Sequence, residues 1–433
     1  MKVNQWTMGL AAAGVISFGA VAQAEEKPSN QVLTAISGTQ ISGYVSTSVH
    51  WNPGQSRGFG GNGAAANPAR AAFVTPNGTQ VPATLATDAN PRQGSSYLAG
   101  KGDGFNLDVI QLTIQKPLDE GEWSAGYLAE IWMGPDATVL GNALGTTGNG
   151  SIALAQGYIA LNVPVGNGLT VKVGTFNTIV GYEGNNSADN PNYSRSYAYT
   201  VGPFQHEGIL ASYKVNDVMS IQGGVVNAQD TGLGLRRTVQ SQKTYLGSVS
   251  LTAPDSFGFL KGATLNAGVV TGQTGAAAAN ATSFQNIHVS GTLPTFWESI
   301  KLGLAYDTIR NDNAADTTSL AAYLTFKNVG IEKLSLNTRI EYFDNGVGLA
   351  LGGAVGQATR GAANVAGMGA AEILATTITL DYQLWANVLS RLEYRWDHDC
   401  SAGAHLPGNV NSGVAAGGLN NAHLVALSLV YKF

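Results

Sequence analysis

From residue 39 to the last residue, the chain repeatedly alternates apolar and polar side chains with a period of two. The segment 39–51, TQISGYVSTSVHW, puts Ile41, Gly43, Val45, Thr47, Val49 and Trp51 on one face and Gln40, Ser42, Tyr44, Ser46, Ser48 and His50 on the other. A period of two is the signature of a strand with two unlike faces. Similar segments recur at about 104–116, 122–133, 151–162, 168–176, 203–213, 218–227, 243–252, 261–272, 284–293, 299–309, 318–326, 332–344, 371–383, 388–398 and 421–433. That makes about sixteen strands, within a range of 14–18.

The links between these segments fall into two sets. Short ones at 117–121, 163–168, 214–217, 293–298 and 384–387 alternate with long ones at about 52–103, 134–150, 177–202, 228–242, 273–283, 310–317, 345–370 and 399–420. A soluble sandwich has no reason to sort its loops by length, whereas an up-and-down transmembrane barrel has tight turns at one end and long loops at the other. The expected fold is therefore an all-β transmembrane antiparallel barrel, with short periplasmic turns and long extracellular loops.

Composition agrees with one large unit of this kind. Only 12% of residues are charged, and 56 of 433 are glycine. The mean hydropathy is near zero, as expected when lipid-facing and water-facing rows average out. A net charge of −5 with no long basic run leaves no electrostatic footprint for nucleic acid. The lone Cys400 cannot form an intrachain disulfide.

The N-terminus reads as an export signal. Lys2 precedes an apolar run from about Met8 to Val21, which ends at Ala22-Gln23-Ala24 before a polar, acidic stretch. Small residues in this pattern suit cleavage after Ala24, giving a signal peptide at 1–24 and a barrel over 25–433, with strands and loops from about 39. Beyond it, no apolar stretch of 18 or more residues could form a transmembrane helix.

The faces of individual strands can be assigned. In 334–344, Leu334, Leu336, Thr338, Ile340 and Tyr342 are expected to face lipid, while Arg339 and Glu341 point inward. In 388–397, Leu392, Tyr394 and Trp396 face out against Arg391, Glu393, Arg395 and Asp397. Aromatics near strand ends, including Trp51, Trp123, Tyr245, Tyr342 and Trp396, suit girdles at the two water–lipid boundaries. The terminal LVALSLVYKF has Val425, Leu427, Leu429, Tyr431 and Phe433 on one face. A last strand that closes a barrel leaves no open edge, and its outward row should be apolar.

The stretches GFNLDVIQLTIQKPLDEGEWSAGY (104–127) and VGTFNTIVGYEGNNSADNPNYSRSYAYTVGPFQHEGILASY (173–213) resemble the β-barrel porin-2 (OmpL-like) family of outer-membrane porins. The sharpest piece is Asn190-Pro191-Asn192-Tyr193-Ser194-Arg195-Ser196, after Gly181-Tyr182. The resemblance implies an outer-membrane channel for small hydrophilic solutes. It also implies that Tyr431 and Phe433 form a C-terminal signal read by the outer-membrane assembly machinery. By analogy with general porins, loop 177–202 folds inward, with Glu183, Asp189, Tyr193 and Arg195 as constriction residues. Wall charges Lys172, Arg339, Glu341, Asp381, Arg391, Glu393 and Arg395 would then face them. The plainer reading of the same motif is a surface loop pinned by Asx turns and a proline. Inward charges of both signs nearly balance, so they set no ion preference.

Motifs for chemistry are weak. His206-Glu207 begins like HExxH, but Leu210 replaces the second histidine and the setting is a strand. Gly58, Gly60 and Gly63 match GxGxxG outside any strand-to-helix unit. The six histidines have no metal-ligand spacing, and no GxSxG elbow is present. No cofactor or enzyme activity is implied. The competing reading is a non-porin outer-membrane barrel, either a surface adhesin using loop 52–103 or an embedded hydrolase built on neighbouring Ser, His and Asp. The segment from Glu25 to about Gly38 is too short for the plug of a TonB-dependent receptor. The partners expected are outer-membrane lipid, small solutes and the assembly machinery; a homo-oligomer stays open.

Overall fold

In a computed structural model, the described residues are 38–51, 73–74, 80–81, 101, 104–119, 123–140, 151–229, 242–274, 282–295, 297, 299–311, 314–346, 372–401 and 420–433. The signal sequence, nearly all of loop 52–103 with Gly58, Gly60 and Gly63, and loop 347–371 lie outside them.

The strands are β1 (Gln40–Trp51), β2 (Phe73–Val74), β3 (Gln80–Val81), β4 (Gly104–Lys116), β5 (Ser124–Gly134), β6 (Ser151–Val163), β7 (Leu169–Asn177), β8 (Gln205–Lys214) and β9 (Met219–Val226). They continue with β10 (Thr244–Thr252), β11 (Thr264–Thr274), β12 (Thr282–Pro294), β13 (Ile300–Asn311), β14 (Ala314–Phe326), β15 (Leu334–Asp344), β16 (Glu372–Trp385), β17 (Val388–Asp399) and β18 (Asn421–Lys432). β2 and β3 pair only with each other, and the other sixteen close into one barrel in which each strand pairs with its neighbours in sequence. All sixteen expected segments are barrel strands.

Closure joins the two ends of the chain. β18 pairs antiparallel with β1 from Tyr44↔Lys432 to Trp51↔Val425. Gly43 and Phe433 then exchange two backbone hydrogen bonds of 2.9 Å each. The terminal phenylalanine is thus tied into the ladder, where a free end would leave unpaired N–H and C=O groups that a bilayer cannot satisfy.

The barrel is inside out relative to a soluble protein. The guanidinium side chains of Arg195, Arg339 and Arg395 are fully buried, while Ile159, Ile209, Leu320, Ile340 and Leu392 are exposed. Burying charge without partners is costly, so the arginines imply a densely bonded interior. The exposed apolar rows imply an apolar solvent outside. Trp51, Trp123, Tyr245, Tyr342 and Tyr431 stand exposed near strand ends.

One link differs from expectation. The long loop expected at 310–317 is a tight hairpin: β13 and β14 run through it, with Asn311 paired to Ala314. The Asn- and Asp-rich sequence there reads as loop because these residues favour turns, but it serves a single turn at the end of a continued ladder. At the opposite end, residues 253–263 between β10 and β11 hold a 3₁₀ turn over Asp255–Leu260. The other links at that end are short, such as Ala386–Asn387 between β16 and β17.

Candidate functional site

The segment between β7 and β8, residues 178–204, lies inside the barrel and crosses to the far wall. Its local shape comes from side chains that replace missing backbone partners. Asn186 caps a 3₁₀ turn at Ser187–Asp189 by accepting from the Ala188 amide at 2.9 Å. Asn190 closes the turn further, accepting from the Gly184 amide and donating to the Gly184 carbonyl, both at 2.9 Å. Ser196 caps the helix Tyr197–Val201 by accepting from the Tyr199 amide at 3.1 Å. These are the turns that Asn and Ser make when their oxygens capture nearby N–H groups.

The wall supplies the remaining partners. Glu393 on β17 accepts from the backbone amides of Tyr193 at 2.7 Å and Ser194 at 3.0 Å, and from the Thr379 hydroxyl at 2.8 Å. Glu341 on β15 accepts from the amides of Tyr197 at 2.8 Å and Ala198 at 2.9 Å. Arg391 donates to the carbonyls of Ser187 at 2.7 Å and Asn190 at 2.6 Å. Arg395 donates to the Arg195 carbonyl at 2.6 Å and is paired with Asp397 at 2.7 Å. Carboxylates thus take the loop's orphan N–H groups and guanidiniums take its orphan C=O groups. Bonds of this charge-assisted kind are the strong ones.

Two further anchors are side chain to side chain. Arg339 holds the Glu183 carboxylate at 2.6 Å and also donates to the Ser194 carbonyl at 2.8 Å. Burial alone would raise the Glu183 carboxyl, but the Arg339 and Arg195 guanidiniums and the Ser196 amide hold it below the usual carboxylate range. On the other side, the Tyr193 hydroxyl reaches His50 at 2.8 Å, Ser48 at 3.0 Å and Asp108 at 3.1 Å, with Lys101 at 3.3 Å. Lys101 is itself buried between Asp108 at 3.0 Å and Asp136 at 2.5 Å. Tyr182 stacks on Tyr323 with ring centroids 4.2 Å apart. Its ring lies where a side chain at position 303 would stand, so Gly303 on β13 makes room for the contact.

These placements sort the expected site residues. Glu183 and Asp189 line a cavity of about 1820 Å³ that runs from the short-turn end up to loop 178–204, whereas Tyr193 and Arg195 do not. Tyr193 and Arg195 are turned into the seam between loop and wall, at 1% and 0% exposure. The Arg195 guanidinium sits over the Tyr199 ring at 5.4 Å. Both hold the loop instead of reaching into the passage. Asp189 is half exposed and pairs with Lys432 at 3.1 Å.

Among the wall charges, Lys172, Asp381 and Arg391 line the cavity, with Asp381 and Arg391 paired at 3.2 Å. Arg339, Glu341, Glu393 and Arg395 are spent on the loop. Lys172 lies over the Tyr158 ring at 4.6 Å and makes no ion pair with a described residue. The rest of the cavity wall is mainly small and polar, including Ser212, Gln222, Ser250, Asn286 and Thr325.

Sequence reasoning did not single out Ser48, His50, Lys101, Asp108 or Asp136. Ser48 and His50 are visible as inward polar positions of β1, but the tyrosine they receive lies more than 140 residues away. Among the described residues, no group of three or more His, Cys, Asp and Glu side chains is arranged to hold a metal ion.

A closed sixteen-stranded barrel with an inturned third loop and a polar interior is the architecture of a porin. The family described as "Putative beta-barrel porin-2, OmpL-like" matches residues 38–433, and the chain belongs to it. It is an outer-membrane porin. Among solved structures the fold is similar to OprB of Pseudomonas putida, at 11% identity and a TM-score of 0.52 over 93% of this chain and 96% of that one. It is also similar to the anion-selective porin from Comamonas acidovorans, at 14% identity and a TM-score of 0.51 over 91% and 99%. A third is the outer membrane channel DcaP of Acinetobacter baumannii, at 10% identity and a TM-score of 0.50 over 91% and 97%. At such identities the likeness is one of fold. No curated protein matches the chain.

Proposed function

We propose that the protein is a passive diffusion channel for small hydrophilic solutes and ions, narrowed by loop 178–204. The observation that carries the reading is the loop's position: it is held against the β15–β17 wall, leaving a polar cavity on the side of β8–β13. A barrel of 16 strands is wide enough to keep water inside once such a loop has folded in. The loop narrows the lumen by its backbone mass and by Asp189, while Glu183, held by Arg339, anchors it together with Tyr193 and Arg195. Lys172, like Lys116, Lys301 and Lys327, lines the cavity without an ion pair to a described residue and is one of the cations a passing anion meets.

In this reading the short turns face the periplasm and the long loops the exterior, since β1 begins and β18 ends at the short-turn end and the signal peptide 1–24 is removed on export. Tyr431 and Phe433 present the C-terminus to the assembly machinery. The chain works without a cofactor, and hydrocarbon covers its outer face.

The test is solute uptake by liposomes carrying the purified, refolded protein. Swelling should be fast with small neutral sugars and fall steeply as solute size rises. Swelling no faster than in protein-free liposomes for the smallest sugars would refute the reading.

A further inference from the structure

The β11–β13 wall carries a second arrangement that solute passage does not need. On β12, His288 and Ser290 are two residues apart on the inward face, and His288 is directly across the ladder from Asp307 on β13. Asp307 Oδ1 lies 2.8 Å from His288 Nδ1, and His288 Nε2 lies 2.8 Å from Ser290 Oγ. With the Nδ1 proton directed at the carboxylate, Nε2 is left to accept from the serine hydroxyl. This is the relay of hydroxyl, imidazole and carboxylate that makes serine a nucleophile.

Three features of the surroundings go with it. All three residues line the cavity, with Ser290 at 5% exposure at its edge. Asn266 on β11 stands directly across from Ser290, lines the same cavity, and its amide bonds to no described residue. An amide so placed can stabilise the oxyanion formed on a carbonyl attacked by Ser290. The Val180 side chain and the Ile179 carbonyl of the inturned loop come up against Gly268, the residue across from His288, and close that side of the cavity. The absence of a side chain at Gly268 is what lets the loop approach.

We infer that Ser290, His288 and Asp307 form a hydrolytic site within the lumen, acting on small esters of short-chain acids. Ser290 Oγ adds to the ester carbonyl as its proton passes to His288 Nε2. That proton then leaves with the alcohol as the ester C–O bond breaks, giving an acyl-serine. Water, deprotonated by His288, attacks the acyl-serine, and the proton returns to Ser290 as the carboxylic acid departs. Asp307 is a positioning residue that fixes the imidazole tautomer. Asn266 holds the oxyanion.

The test uses the full, refolded barrel in detergent, with p-nitrophenyl acetate as substrate and a fluorophosphonate as covalent probe. Heat-modifiable migration on gels confirms that each variant is folded. The inference expects probe mass on the peptide bearing Ser290, together with a loss of at least about 100-fold in kcat/KM in both S290A and H288N. It also expects a loss on the order of 100-fold in kcat in N266A. A folded barrel that takes up no probe at Ser290, or a folded S290A or H288N that turns over like the parent, overturns it. The outcome is independent of conductance, so a failed channel assay would not decide it.

Discussion

Removing the Glu393 carboxylate should release the inturned loop as a unit. Glu393 takes two loop amides, Tyr193 at 2.7 Å and Ser194 at 3.0 Å, on a wall strand where no water is needed to satisfy them. Hydrogen bonds to a charged group contribute about 1.5–3 kcal/mol each, so E393A should weaken docking by about 3–6 kcal/mol. A loss of that size raises the undocked fraction by about 10²- to 10⁴-fold, since each 1.4 kcal/mol is a factor of ten. The remaining anchors keep the loop mostly docked, so the population change is best read by amide hydrogen exchange. Tyr193 and Ser194 lose their acceptor directly and are uninformative. The useful amides are Ser196, held by Glu183, and Tyr197 and Ala198, held by Glu341. Their exchange should accelerate with the opening equilibrium in E393A, and less in E393Q, which keeps one acceptor oxygen. If faster exchange stays confined to Tyr193 and Ser194 while Ser196 to Ala198 keep parental protection, the loop is not one cooperative latch and the reasoning fails.

The Glu183 carboxyl is held low in the docked loop, so its contribution is complete above the free-glutamate value near about 4.3 and is lost as pH falls through the lower docked value. Protease cleavage within 184–196 should therefore be constant from about pH 6 to 8 and rise below about pH 4. K172E reverses the sign of the cavity-wall cation over Tyr158 and should move the reversal potential in a salt gradient toward cations; an unchanged potential would remove Lys172 from the ion path. Deleting Phe433 removes the two closing bonds to Gly43 and should cost about 1–3 kcal/mol, read as a lower temperature for the heat-modifiable gel shift. G303V puts a side chain where the Tyr182 ring lies and should break its stack on Tyr323, visible as greater protease access near Tyr182 with the barrel still folded.

The barrel was legible because its rule is local. Alternation in 334–344 and 388–397 places Arg339, Glu341, Arg391, Glu393 and Arg395 inward whatever lies across the lumen, and the burial of those residues follows it. The 310–317 segment reads as a long loop because Asn and Asp signal a turn without signalling its length, whereas Asn311 pairs with Ala314. At the site, the Asn- and Ser-rich motif 190–196 announces a pinned backbone, and Asn190 and Ser196 do pin it. What it cannot announce is the partner. Tyr193 meets Glu393 at a separation of 200 residues and His50 at 143, distances that only strand order around the barrel brings together. Wall charges look the same in sequence whether they face water or a loop carbonyl. The aligned His288, Ser290 and Asp307 were equally invisible, because Asp307 comes opposite His288 only through the β12–β13 register.

The central claim is that water fills a lumen which loop 178–204 narrows but does not seal. Single-channel recording of the purified, refolded protein in planar bilayers addresses it directly. Stepwise conductance is the expected result, with brief wider steps in E393A from the minority of channels whose loop is undocked. A membrane that stays silent with correctly folded protein would contradict the account.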